Sequence, residues 1–463
     1  MKRFELSDLP NGAQIHFIGI GGISMSGLAQ VVLQKGFKVT GSDRQQNHIT
    51  EKLSQLGATV YLGHAAQNVN GSDLVVHTAA VHDDNPEMME AKRQGLRLID
   101  RAEFLGAVMK LYKHAVGVSG THGKTTTTSM LAHAMVHAQT DPTISVGGEL
   151  DLIGGNIRTG ASDYFVTEAC EYTNSFLKFF PTIALITNVE EDHLDFFSGI
   201  GQIIESFRQF ALLTLGKGSV VAWGEDPNVI KALDQTGCDI HFYGIGTEFE
   251  YHPEKLSYRG GFPSFDVVVN GQVHCHLQLN VPGEHNVLNA LATIAVCELL
   301  GIDPETAARG IETFTGTRRR FERKGTLNGA TVIDDYAHHP TEIKATISAA
   351  RALDYHKMWC VFQPHTYTRT KTLWKDFLTC FDGVDELVLV DIYAAREPFD
   401  GETTSEGLAQ AIAQAVAGTK MNVRYAESFE EAEKLLQNEL GPGDIAFTMG
   451  AGDVVEIGEA ILK

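Results

Sequence analysis

Residues 117–130 read GVSGTHGKTTTTSM, and Gly120, Thr121, His122, Gly123, Lys124, Thr125 and Thr126 within them are the residue types of a loop that cradles a polyphosphate. A glycine-rich turn from strand to helix lets backbone N–H groups approach phosphate oxygens and aims the positive end of the helix dipole at them. Gly123-Lys124-Thr125 adds an ammonium group for β- and γ-phosphates and a hydroxyl for Mg2+. The full G-x-x-x-x-G-K-[ST] spacing is not met, because Val118 stands where its first glycine would be. A chance Gly-Lys-Thr is the bland alternative. The apolar run before it and the helical spacing after it favour ATP.

A second turn of this kind, FIGIGGISMSGLA, lies about a hundred residues earlier. Gly19, Gly21 and Gly22 suit a tight strand-to-helix turn, Ser24 stands where a dinucleotide fingerprint wants glycine, and Asp43 lies far enough on to reach a ribose hydroxyl. An NAD site, a plain turn, and a second nucleotide serving as the handle of a substrate are all open readings. Three further stretches carry polar chemistry. TNVEEDHLD, taken alone, is most often a solvated loop, and a lone His193 is more often structural than a ligand. GEHNVLNALA reads as a helix start capped by His285 or Asn286. GTRRRFE reads as a basic linker or, with three adjacent arginines in an acidic chain, as a clamp on phosphate.

These residues need a scaffold of alternating strands and helices. The chain has 463 residues, enough for about three domains of roughly 150 each. Hydrophobic residues make up 43% and charged residues 21%, which argues against disorder. The formal net charge of −21 works against nucleic acid as a partner, so an anionic ligand must find local positive potential. Six cysteines without a C-x-x-C pair fit free thiols in a reducing compartment and suggest no zinc site. The apolar run behind Lys2 and Arg3 is interrupted by His16 and four glycines, so it does not read as a signal peptide, and a cytoplasmic protein is expected. Short strands over 15–18, KVTGSD, ATVYLG, DLVVHTAA and LRLID alternate with helices over 25–34, 49–56 and 86–94 in a first, doubly wound region. A second α/β region starts with KHAVGVSG and a helix over 124–137. It includes a hairpin turning at Asn270-Gly271 and ends in helices over 284–300 and 304–314. From Thr331 the alternation resumes in TVIDD, MWCVFQ, ELVLVDI, NVRYA and DIAFTMG, with GTRRRFERKG as the boundary before it.

GTHGKTTT, TNVEEDH, GEHNVLNALA, RRRFE and DDYAHHPTEI, in this order and across essentially the whole chain, resemble the muramyl peptide ligase family. DDYAHHPTEI with FQPHTYTRT and FTMGAGD narrows the resemblance to the branch acting on L-alanine and UDP-N-acetylmuramate. The resemblance implies an α/β protein of three domains. A Rossmann-like UDP-binding domain is expected over 1–107, a central P-loop ATPase-like domain over 108–315, and a Rossmann-like amino-acid-binding domain over 316–463. The implied reaction is ATP-dependent: the lactyl carboxylate is phosphorylated to an acyl phosphate, which the alanine amine attacks. On this resemblance Gly19, Gly21, Gly22 and Ser24 border the diphosphate, with Asp43 and Thr78 near the uridine. Thr125, Glu168 and His193 are the implied Mg2+ ligands. His285, Asn286 and Asn289 fall at the adenine, Arg319 and Arg320 at the phosphates, and Asp334 or Asp335 at the ATP ribose. Lys124 faces the transferring phosphoryl group, while Arg369, His338 and Tyr336 hold the amino acid and position the attacking amine.

The sequence departs from the family's pattern at three places. Cys170 and Tyr172 flank Glu171 where an acid and a serine are usual, Thr366 stands where an arginine is common, and Ser24 thins the first glycine turn. Thr366 matters most, since Arg369 and His338 must then do more. Two alternatives compete: a ligase that joins a preformed tripeptide to the same sugar nucleotide, and a nicotinamide-dependent oxidoreductase using the first turn. The oligomeric state stays open between a monomer and a weak homodimer.

Overall fold

The computed structural model describes residues 4–78, 81–194 and 196–463. The chain divides into two compact units. One comprises Met1–Glu191, Gly199–Tyr251 and Ala292–Gly310, and the other Asp192–Ser198, His252–Leu291 and Ile311–Lys463.

In the first unit, five parallel strands form a sheet in the order Thr59–Leu62, Lys38–Asp43, Gln14–Ile18, Leu74–His77, Arg97–Asp100. The order reverses at Gln14–Ile18, and the first glycine turn leaves the C-terminal end of that strand, where open α/β sheets place their ligands. Ile15, Phe17, Val75 and Val76 are fully buried, as a sheet covered on both faces requires. Local signals set the helix ends. In Pro86–Gln94, Asn85 caps the first turn through Glu87 N–H and Met88 N–H, proline occupies the first turn, and Gly95 closes the last at φ 69°. A second sheet in this unit runs Asp239–Tyr243, Ser219–Trp223, Ile183–Ile186, His114–Ser119, Tyr164–Glu168, Thr143–Leu150, Gly155–Arg158. Its strands are parallel except for the last pair. The strand His114–Ser119, which feeds the Lys124 loop, therefore has Ile183–Ile186 on one side and Tyr164–Glu168 on the other.

In the second unit, Phe262–Val269 and Gln272–Gln278 form the expected hairpin, with Asn270 and Gly271 at φ 51° and 77°. A six-stranded sheet runs Glu322–Leu327, Ala330–Asp335, Ile445–Met449, Met358–Phe362, Glu386–Leu389, Asn422–Tyr425. All its pairs are parallel except the first. The stretch read as a basic boundary thus contains an edge strand: Glu322–Leu327 turns through Asn328-Gly329, at φ 52° and 83°, into Ala330–Asp335. Charged residues suit an edge strand, which must not invite further pairing. Apolar clusters cover both faces of this sheet, one around Phe362, Phe377 and Phe447 and the other around Trp359, Val361 and Ile457.

Candidate active site

Hydrogen bonds from the neighbouring strand end fix the first glycine turn. Gly19 N–H and Ile20 N–H donate to the Ser42 carbonyl at 2.8 and 3.0 Å, and Gly21 N–H donates to Asp43 Oδ2 at 2.9 Å. Space is tight at position 21, where a Cβ would sit 2.8 Å from the same oxygen. Asp43 thereby shapes the turn as well as bordering a cavity of about 360 Å3 lined with Gln45, Gln46, Thr50 and Tyr61. Ser24 lies half-buried in the first turn of helix Ile23–Gln34, whose N-terminus has no side-chain cap. Thr78 follows the strand Leu74–His77, and its carbonyl accepts Val81 N–H at 3.1 Å.

The Lys124 loop is clamped from the end of the neighbouring strand, Ile183–Ile186. Asn188 Oδ1 accepts His122 N–H at 2.8 Å, Asn188 O accepts Thr121 N–H at 3.0 Å, and Thr187 Oγ1 donates to His122 O at 2.6 Å. Thr121 Oγ1 accepts Glu190 N–H at 2.9 Å. Gly120 runs at φ 137°, a conformation that favours glycine, and a Cβ there would overlap Thr187 Oγ1 at 1.8 Å. Gly123, at φ 84°, is the N-cap of helix Lys124–His137 and has no side chain to cap it, so the first-turn N–H groups face outward as an anion site requires. The Lys124 ammonium folds over the loop onto Gly120 O, Thr121 O at 3.0 Å and both Glu171 oxygens at 3.1 and 3.2 Å. Burial alone would lower its pKa, but Glu171 and, further off, Glu168 raise it, so the lysine stays charged. Glu168 Oε1 accepts Gly147 N–H at 2.5 Å, and the next residue, Gly148, lies against Thr125 Cγ2. Two of the three expected metal ligands thus lie beside one glycine pair, Glu168 bonded to it and Thr125 close to it. His193, the third, belongs to the second unit.

There His193, at φ 54°, donates its N–H to Asp192 Oδ1 at 2.7 Å. Asp192 also holds Arg369: Nη2 donates to Oδ1 at 2.7 Å, and Nη1 donates to His365 Nδ1 at 2.9 Å. Arg369 Nε has no hydrogen-bond partner among the described residues. Burial would raise the Asp192 carboxyl, but Arg369 and then His193 hold it far below the usual carboxylate range. Thr366 N-caps the short helix Tyr367–Thr372, accepting Arg369 N–H. His338 Nδ1 lies 2.9 Å from the Tyr336 carbonyl. A carbonyl only accepts, so Nδ1 carries the proton and Nε2 is left as the basic nitrogen. Burial brings the His338 pKa down to about 3 against the opposing pull of Glu342, so the ring is neutral near pH 7.

The basic stretch meets the same unit's strand ends. Arg319 donates from Nε to Asp334 Oδ2 at 3.2 Å and from Nη2 to Gly450 O at 2.8 Å. Both Arg319 and Arg320 lie about 5 Å from the Tyr336 ring centre. Asp334 also accepts Thr448 Oγ1, while Asp335 accepts Phe321 N–H and Ala337 N–H, each at 2.8 Å. Both carboxylates are buried and engaged within the fold. Asn286 Nδ2 donates to Pro282 O at 2.7 Å and Asn289 Nδ2 to Asn286 Oδ1 at 3.1 Å, and His285 packs against Gly283.

Three family models match in sequence order: "Mur ligase family, catalytic domain" over residues 14–113, "Mur ligase middle domain" over 118–297, and "Mur ligase, glutamate ligase domain" over 319–452. The chain belongs to the Mur ligase family. Among Mur ligases, the UDP-N-acetylmuramate--L-alanine ligase of Clostridium perfringens is 49% identical over 97% of this chain and 98% of its own. The crystal structure of the UDP-N-acetylmuramate-alanine ligase MurC from Thermotoga maritima is 30% identical, with a TM-score of 0.76 over 97% of this chain and 98% of that one. A murein peptide ligase from Psychrobacter arcticus is 26% identical at a TM-score of 0.65 over the same shares. Sequence reasoning gave no role to Glu171 and Asn188, which hold the Lys124 loop in the first unit, or to Asp192 and His365, which hold Arg369 in the second. The "QPH" preceding Thr366 was the one visible hint of His365.

Proposed function

We infer that this chain joins L-alanine to the lactyl carboxylate of UDP-N-acetylmuramate at the expense of ATP, releasing ADP and phosphate, as a step of peptidoglycan precursor synthesis. The observation that carries this reading is near-half identity over almost the whole chain to relatives named for that reaction. The tripeptide-joining alternative has the weaker likeness, to the murein peptide ligase. The glycine turn at the switch point of the five-stranded sheet takes the UDP handle, with Gly19, Gly21, Gly22, Ser24, Asp43 and Thr78 around it. Residues 1–107, 108–315 and 316–463 serve as the sugar-nucleotide, ATP and amino-acid domains. No described helix is long and apolar enough to cross a membrane, and all six cysteines are free thiols, which suits a cytoplasmic enzyme.

Hydroxide is a poor leaving group from a carboxylate, so the acid must first be activated. Gly120–Thr126 offers backbone N–H groups and a charged lysine to a triphosphate, and this arrangement fits ATP. His285, Asn286 and Asn289 are assigned to the adenine, Arg319 and Arg320 to the phosphates, and Asp334 or Asp335 to the ribose. Thr125, Glu168 and His193, a hydroxyl, a carboxylate and an imidazole, are donors a Mg2+ ion accepts, and the ion would neutralise phosphate charge. Lys124 steadies the phosphoryl group as a point charge during transfer. Arg369 is assigned to the alanine carboxylate, with Asp192 and His365 holding the guanidinium plane. His338, neutral with Nε2 free to accept a hydrogen bond, positions the attacking amine of alanine together with Tyr336.

Phosphate release with ATP, Mg2+ and UDP-N-acetylmuramate tests the reading, run against alanine, glycine, serine and the tripeptide, with absorbance at 340 nm monitored for hydride chemistry. Alanine-dependent release is expected. Turnover with the tripeptide alone, or nucleotide reduction, overturns it.

A further inference from the structure

Beneath the first glycine turn lies a carboxylate that none of the chemistry above uses. Glu87, in helix Pro86–Gln94, is fully buried. Its Oε2 accepts Ser42 Oγ at 2.5 Å and lies 3.2 Å from His64 Nδ1 and 3.7 Å from His16 Nε2. Its Oε1 accepts Asn68 Nδ2 at 2.6 Å and Ala65 N–H at 3.4 Å. Among the described residues, no lysine or arginine is bonded to Glu87. Burial alone would raise the carboxyl, yet His16, Ser42 and Asn68 together hold it at about 2, so the buried group is an anion. A buried ion without a lysine or arginine partner is costly unless its hydrogen bonds hold something in place.

What it holds is Ser42. The carbonyl of the same residue accepts the N–H groups of Gly19 and Ile20, and the next residue, Asp43, accepts that of Gly21. Asp43 O in turn accepts Gly63 N–H at 2.7 Å, and Asn68 Nδ2 also reaches Gly63 O. We propose that Glu87 is a positioning residue for the sugar-nucleotide site: through Ser42 it sets the height of the strand end on which the glycine turn and Asp43 rest. This rests on the reading that the first turn binds the UDP handle.

Full-length Glu87→Gln keeps shape and removes the charge. Its KM for UDP-N-acetylmuramate should rise about tenfold, as expected for one lost charge-assisted hydrogen bond, while kcat and the KM for ATP and L-alanine stay within about twofold. Ser42→Ala should reproduce the effect and decides the matter if Glu87→Gln does not fold. The double variant should be no worse than either single one, since both break the same link. Additive effects, equal changes in all three KM values, or an unchanged sugar-nucleotide KM overturn the proposal. Asp43→Ala separates the two levels. If it leaves sugar-nucleotide binding intact in calorimetry without ATP, the reading of the turn falls. If it weakens binding and Glu87→Gln does not, only the role of Glu87 falls.

Discussion

Asn188→Ala isolates the clamp on the Lys124 loop, the proposed ATP site. The side chain makes two hydrogen bonds to one residue, accepting His122 N–H at 2.8 Å and donating to His122 O at 3.1 Å. The two losses are unequal. The His122 carbonyl keeps Thr187 Oγ1 at 2.6 Å, so losing Nδ2 from it costs little. The His122 N–H loses its acceptor in a half-buried position, and an orphaned donor of this kind costs about 1–3 kcal/mol. Taking about 2 kcal/mol as the free energy no longer available to hold the loop, ATP affinity should fall by up to about 30-fold. UDP-N-acetylmuramate binding should not change, because the first turn is fixed by Ser42 and Asp43 instead. ADP calorimetry and the KM for ATP from phosphate release provide the measurement. If Asn188→Ala binds ADP as the native protein does, the loop does not need its clamp and the argument from hydrogen bonds fails.

Other outcomes follow from the same geometry. Lys124→Ala should abolish most phosphate release and, because it leaves the buried Glu171 carboxylate without its cation, lower the thermal unfolding midpoint as well, which Lys124→Ala/Glu171→Gln should restore; near-normal turnover would remove the lysine from phosphoryl transfer. Arg369→Lys should raise the KM for L-alanine far more than that for ATP, because a lysine cannot hold Asp192, His365 and a ligand at once. Equal, small effects on every substrate would sink that assignment. Burial, against the opposing pull of Arg320, lifts the Asp335 carboxyl to about 6, above its ordinary value of 3.8. The folded state therefore takes up this proton first, and the contribution of Asp335 to stability grows as pH falls from about 6 toward 4 and is lost on raising it again. Urea midpoints of the native protein and Asp335→Asn should converge at pH 7 relative to pH 4.5 if that sign is wrong, and diverge in favour of the variant at pH 7 if it is right.

Several elements were plain in the sequence because their determinants are local. Lys38–Asp43, Pro86–Gln94, Lys124–His137 and the hairpin at Asn270-Gly271 were read with their observed limits, since caps, glycine turns and periodicity lie within the segments themselves. Glu322–Leu327 was missed although Asn328-Gly329 is the same turn signal as Asn270-Gly271, because three arginines masked the alternation. Thr143–Leu150 and Gly155–Arg158 were missed because their glycines read as loop. The glycine turn into helix Lys124–His137 was visible from residue types alone. Its dependence on Asn188 was not, nor was the hold of Asp192 on Arg369, since partners 66 and 177 residues apart leave no local pattern.

The path of the chain through its two units sets a schedule for synthesis. Asp192–Ser198 is made between two stretches of the first unit yet belongs to the second. Arg369 follows Asp192 by 177 residues. At ribosomal rates of about 5–20 residues per second, the aspartate waits roughly 10–35 s for its arginine. Until then its carboxylate has to stay hydrated, so the loop that carries it cannot close early. The glycine turns of the first unit are free to fold as they emerge, whereas the Asp192–Arg369 pair is completed only after most of the chain has been translated.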